Sequence, residues 1–237
     1  MSRELGDAVL ENPSGEASCE MTLYSELRKI LDSSKGERTV ARFLREHPEI
    51  VLWAFCKMGG HELYVLHEFP IGIRYKADFV VLYSYSGTWE IVFIELEPVK
   101  ERVITKDRRP SKRLNSAISQ VGDWRDFVDR NRPTIHQDLS DWCLKRDLLK
   151  ASQGPPLNFT GDHLRDPQVS VHFHYSIVIG RRCEMTPEAR RKVNQYRYDG
   201  FLDIRSYDLF LDITRNVDKT KRDRSASVYM AQTRSDY

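Results

Sequence analysis

The stretch from Ala77 to Lys100 constrains this chain more than any other. Ala77 to Leu82 and Trp89 to Glu97 are rich in Val, Ile, Phe and Trp, and Tyr85-Ser86-Gly87-Thr88 between them supplies a turn. Two β-strands in a hairpin are predicted. Side chains alternate faces along a strand. Trp89, Ile91, Phe93, Glu95 and Glu97 therefore point one way, and Glu90, Val92, Ile94 and Leu96 the other. Two carboxylates share a face at the far end of an otherwise apolar strand. Asp78 opens the preceding strand, and the start of one hairpin strand lies beside the end of the other, so Asp78 comes close to Glu95. Unpaired like charges so placed repel. A divalent cation would relieve that repulsion and use the oxygen ligands. Solvated charges at strand ends are the other reading, and the spacing alone leaves both open.

The rest of the chain suits one domain around that hairpin. Its 237 residues, 40% hydrophobic, are enough for one compact core with short extensions. No apolar run reaches the ~18 residues of a membrane helix, and residues 1–20 are acidic without the apolar region of a signal peptide. A cytoplasmic protein without membrane partners is expected. Cys19, Cys56, Cys143 and Cys183 are scattered, which fits reduced thiols better than a disulfide framework or a zinc knuckle. The net charge of +2 does not point to nucleic acid, but the local distribution of charge does.

Residues 1–20 read as a flexible acidic arm around Asn12-Pro13-Ser14-Gly15. Helical spacing begins near Met21, with Leu23, Leu27, Ile30 and Leu31, and is broken at Ser33 to Gly36. Glu37 to Glu46 is a further helix, ended by His47-Pro48. Ile50 to Phe55 is an apolar run of open type, and Glu62 to Ile73 a strand leading into the Asp78 strand. After Glu97, Pro98 stops regular pairing. Lys100, Arg102, Lys106, Arg108, Arg109, Lys112 and Arg113 then give seven bases against Glu101 and Asp107. A run of this kind is usually a solvated loop. Here it abuts an acidic site, which favours a phosphate-contacting loop.

Ser111 caps a predicted helix to about Asn131, whose stripe is Leu114, Ala117, Ile118, Val121, Trp124 and Val128. Gln120 borders that stripe one turn before Trp124 and is placed to point along the sheet toward the carboxylates. Residues 132–167 look like an insertion of loops with one helical segment. Val169 to Gly180 alternates as a strand, and its His172 and His174 share a face, read as structural or solvent-facing histidines. Thr186-Pro187-Glu188 starts a helix that Gly200 closes. Phe201 to Tyr207 is a last strand, Leu209 to Val217 a last helix, and 218–237 a polar tail. The order calls for a mixed sheet covered by helices.

A helix, three strands carrying Asp and Glu-x-Glu, a helix carrying Gln-x-x-x-Trp, then a strand, resembles the PD-(D/E)XK nuclease core. More narrowly, Ile94-Glu95-Leu96-Glu97-Pro98, Gln120 to Trp124, Ile177 to Arg182 and Ser206-Tyr207-Asp208-Leu209 resemble the Shedu anti-phage nuclease family over roughly Glu37 to Val217. The resemblance implies an α/β fold with a restriction-endonuclease-like core, a central mixed β-sheet flanked by helices, over residues 21–217.

It also implies a metal-dependent nuclease that hydrolyses phosphodiester bonds in DNA, in prokaryotic defence against phage, as a homo-oligomer. Asp78, Glu95 and the Leu96 carbonyl would hold Mg²⁺ (or Mn²⁺). Glu97 stands where the superfamily normally has Lys, and some restriction endonucleases also have Glu there. A carboxylate cannot supply positive charge near developing negative charge. It can take a proton from the attacking water or help hold a second metal. Lys100, and with it Lys106, would supply the missing cation, and Gln120 would bind the substrate phosphate or a metal-bound water. Glu37 stands where such nucleases often place an acidic residue that reaches the metal. Because of the Glu97 departure, a catalytically impaired DNA-binding module of the same fold is the rival reading. A scaffolding subunit, with a merely solvated basic run, is the third.

Overall fold

Strand pairing grows outward from the Asp78–Glu95 hairpin. The computed structural model describes residues 22–34, 36–57, 60–146, 148–149, 154–198 and 202–222. The expected acidic arm, the Gly200 helix stop and the end of the C-terminal tail lie outside them. Strand β2 (Tyr75–Tyr85) pairs antiparallel with β3 (Thr88–Leu96) through a tight turn in which Ser86 and Gly87 both take positive φ. Such two-residue turns match the twist of the flanking strands. Strand β1 (Leu63–Ile71) adds antiparallel to β2. Strands β4 (Ser170–Val178) and β5 (Asp203–Arg205) add parallel on the other side, giving the order β1-β2-β3-β4-β5. Parallel neighbours need long crossovers. Helices α4 (Lys112–Arg130) and α5 (Arg132–Arg146) supply the first, and α6 (Pro187–Tyr198) the second.

The alternation read in β3 divides the core. Trp89, Ile91 and Phe93 face one cluster, formed with Leu114, Ala117, Val121, Trp124 and Val128 of α4 and Ile135 and Leu139 of α5. Val92, Ile94 and Leu96 face the other. There they meet α1 (Leu23–Ser33), α2 (Arg38–Glu46), α3 (Pro48–Phe55) and α7 (Asp208–Arg222). The architecture is α/β, a five-stranded mixed sheet between two helical layers, as expected for a restriction-endonuclease-like core.

Several boundaries differ from the sequence reading. The open run Ile50 to Phe55 is helical, because Pro48 sits in the first turn of α3, where its missing N–H costs nothing. Helix α7 runs on to Arg222, past the expected stop at Val217. The stretch 132–167, expected as an insertion, supplies core helix α5. Its buried face mixes His136, Ser140 and Cys143 with Ile135 and Leu139, which erased the apolar periodicity. Cys56, Cys143 and Cys183 form no disulfide. Among the described residues no helix is long and apolar enough to cross a membrane.

The two halves of the resemblance's last motifs turn out to bind each other. Arg181, after β4, donates to Asp208 at the start of α7 and to Asp32 of α1. Arg181 and Asp208 are only 14% and 15% exposed. Burial alone would raise the Asp208 pKa, but the Arg182 amide and the Arg181 guanidinium outweigh it and hold the carboxyl below its ordinary value. Asp208→Ala is expected to cost about 2 kcal/mol, since it takes a mostly buried carboxylate partner from Arg181 and leaves it paired with the exposed Asp32, read as a lower urea midpoint at pH 7. A depressed carboxyl contributes stability above its unfolded pKa and loses it as pH falls through the folded one. The gap between wild type and variant should therefore narrow below about pH 4.

Candidate active site

The last registered pair between β2 and β3 is Phe79 with Ile94. Beyond it the strands part, and side chains take over the ladder. Asp78 Oδ2 accepts from the Leu96 N–H at 2.8 Å. A strand residue's N–H and C=O project to the same side, so the Leu96 carbonyl faces the same gap. Glu95 lies on the α4 side, where Gln120 Nε2 donates to its Oε1 at 2.8 Å. The structure thus brings Asp78, Leu96, Glu95 and Gln120 together. Asp78, Glu95 and Gln120 border a cavity of about 560 Å³, lined also by Arg74, Tyr75, Lys76, Ser116, Ser119 and Asp123.

Negative charge is disfavoured here. Burial, opposed by the Leu96 amide, raises the Asp78 pKa to about 6. Burial and then the neighbouring Asp78 and Glu97 raise Glu95 to about 9. Burial also lifts Glu97 to about 7, with Arg113 pulling it down and Glu37 and Asp78 pushing it up. Carboxylates that raise one another in this way are a site a cation would relieve.

The donors fit a hard cation in a particular way. Among the described residues no group of three or more His, Cys, Asp or Glu side chains is arranged to hold a metal ion. Asp78 and Glu95 are therefore not joined by Glu97 or Glu37 in a ready-made cage. Mg²⁺ keeps several waters and takes one or two carboxylates, so two carboxylates and a carbonyl suit it. Glu37, just before α2, acts on all three motif carboxylates through its charge. Glu97 lies just past β3 and is 8% exposed. Its backbone is pinned twice: its N–H donates to the Val178 carbonyl, and its carbonyl accepts from the fully buried Tyr207 hydroxyl at 2.7 Å. Gly180 secures the same crossing, because a Cβ there would lie 2.4 Å from the Glu101 carbonyl oxygen and its φ is +64°.

Lys100 is not at the cavity. Val99 is buried in the cluster on the opposite face of the sheet, so the chain turns that way after Pro98, and the Lys100 amine donates to the Asp32 carbonyl near the end of α1. The cation whose charge acts on Glu97 is instead Arg113, and the one whose charge acts on Asp78 is Lys76. Lys76 shares the Asp78 face two residues earlier, which alternation could have revealed. It pairs with Glu68 at 3.0 Å, both more than half exposed, a contact weak enough to exchange for phosphate. Arg102, Lys106, Arg108, Arg109, Lys112 and Arg113 are all exposed, on a loop closed by the Ile104–Pro110 bridge and on the first turn of α4, capped by Ser111. His172 and His174 are exposed and share Glu90, away from the cavity.

Comparison with known proteins adds a family. The model described as "Shedu protein SduA, C-terminal" matches residues 34–211, from the turn before α2 into α7. Quinol oxidase subunit 2 of Bacillus subtilis (strain 168) is 24% identical over 156 residues, 64% of this chain and 48% of that protein. Quinol oxidase subunit 2 of Bacillus spizizenii gives the same identity and coverage. The chain spans about half the length of these curated relatives.

Proposed function

The chain belongs to the family of the Shedu protein SduA, C-terminal domain, which implies anti-phage defence, and we propose that it acts there as a metal-dependent nuclease on DNA. The observation that carries this reading is the Asp78–Glu95 pair at the parting of β2 and β3, tied to Leu96 N–H and Gln120. Asp78, Glu95 and the Leu96 carbonyl would hold Mg²⁺ or Mn²⁺. A bound divalent ion supplies charge to the phosphoryl oxygen and acidifies water. Lys76 holds the phosphate on the cavity wall. Gln120 fixes Glu95 in one orientation. Glu97, kept in place by Tyr207, takes the proton from the attacking water, and Arg113 steadies the carboxylate. Incubating linear and circular DNA with the protein, with and without Mg²⁺ or Mn²⁺, tests the reading. Strand scission only with metal supports it, and binding without scission supports the impaired module.

The exposed basic run is proposed to hold the DNA backbone. Neutralising Arg108, Arg109 and Lys112 together should weaken binding and flatten the slope of log affinity against log salt by about 0.9 per lost contact. Filter binding across a salt series measures both, and an unchanged slope would make the run a solvated face.

A further inference from the structure

We propose that the β1–β2 hairpin tip is a second DNA-engaging element: Ile73 enters the base stack of a duplex lying across the site, and Arg74 holds the adjoining phosphate. The proposal rests on the nuclease reading and deepens it. Ile73 is 100% exposed, at the centre of a three-residue turn between the paired residues Ile71 and Tyr75. Turns of this kind favour Gly, Asn, Asp and Ser, and a β-branched apolar residue contributes nothing to the turn itself. A single exposed apolar residue is ordinary, but the seat of this one is not. Gly72 takes φ +63° directly against the Phe127 ring, where a Cβ would fall 2.5 Å from Cζ. The tip is thus clamped to α4 and presents Ile73 from a fixed base.

The placement also matches a duplex track. The next three residues, Arg74, Tyr75 and Lys76, line the cavity, as do Ser116, Ser119, Gln120 and Asp123 of α4. Helix α4 therefore runs from the basic end at Lys112 and Arg113, past the cavity, to the tip at Phe127. That run of roughly fifteen residues spans about 22 Å at 1.5 Å each. From Tyr75, just after the turn, to Asp78 the strand rises about 10 Å, roughly three phosphate steps of one DNA strand. A duplex along α4 would be gripped by the basic loop at one end and the hairpin at the other, with Asp78 and Glu95 between. Apolar side chains that enter base steps unstack and kink the duplex, and flanking cations hold the bent form.

The test uses the full chain and duplex oligonucleotides carrying 2-aminopurine at successive positions, without divalent metal. Wild type should raise the fluorescence at one position, and Ile73→Ala should abolish that rise at equal bound fraction, while Ile73→Leu keeps it. With Mg²⁺, Ile73→Ala should cut a continuous duplex about ten-fold more slowly and match wild type on a duplex mismatched at that position, where the bases are already unstacked. Equal fluorescence and equal cutting by Ile73→Ala overturn the proposal. So does a loss of self-association in Ile73→Ala by light scattering with unchanged cutting, which would make the tip a contact between copies. If wild type cuts no DNA under any metal, the nuclease reading itself falls. If wild type cuts and Ile73→Ala is indifferent, only the hairpin proposal falls.

Discussion

Asp78→Asn and Glu95→Gln are each expected to reduce metal-dependent DNA cleavage to background while leaving the fold intact. The amides are chosen for what they keep. The amide oxygen introduced at position 78 can still accept from the Leu96 N–H, and the one introduced at position 95 can still accept from Gln120. Neither change removes core volume, and each removes a carboxyl whose ionisation burial already disfavours. Thermal stability without metal should therefore hold or rise, since the repulsion among the carboxylates falls. What both variants lose is the carboxylate proposed to hold a divalent ion. The loss should exceed ~10³-fold, because without the ion neither the polarised phosphoryl oxygen nor the acidified water is supplied. The check is plasmid nicking over a Mg²⁺ or Mn²⁺ series beside a melting curve. Wild-type rates in either variant would remove the site assignment. Loss of cleavage with a collapsed melting temperature would instead mean that the substitution broke the sheet.

The pair was legible because strand alternation is a local rule. Glu95 shares a face with Trp89, Ile91 and Phe93, and a hairpin brings Asp78 beside it, so two residues followed from short-range pattern alone. Gln120 followed from the α4 stripe for the same reason, and the Ser111 cap set where that helix starts. What failed depended on which side of the sheet the chain took. Lys100 is three residues from Glu97 in sequence, yet buried Val99 draws it to the other face. Arg113 is sixteen residues on and reaches Glu97's field because α4 returns over the strand ends. Tyr207 lies 110 residues from the carbonyl it holds. Polar side chains on a buried helix face likewise hid the first half of α5.

Glu97→Gln is expected to slow DNA cleavage by ~10²-fold or more, while DNA affinity holds or improves because a negative charge near the phosphate is gone. Three features set Glu97 apart from a spare carboxylate at a strand end. It is buried, so its charge is kept at a cost. Its backbone is fixed on both sides, by the Val178 carbonyl and the Tyr207 hydroxyl, which fixes the point from which the side chain leaves the strand end. It feels Asp78 and Arg113 together, between the acidic pair and the basic first turn of α4. A solvated Glu would show none of these. Gln keeps the shape and the backbone anchors and removes only the proton acceptor and the charge, so a fall in rate without a fall in binding isolates the chemical role. Glu97→Lys should retain part of the activity, since it restores the cation usual at this position in the superfamily that the motif resembles, although Arg113 would then face a like charge. Tyr207→Phe supplies the structural control: it releases the Glu97 carbonyl while leaving the carboxylate, and should slow cleavage less than Glu97→Gln does. Single-turnover cleavage and binding isotherms on one duplex decide the matter. Full activity in Glu97→Gln would move proton transfer away from Glu97, to Lys76 or to solvent beside Gln120.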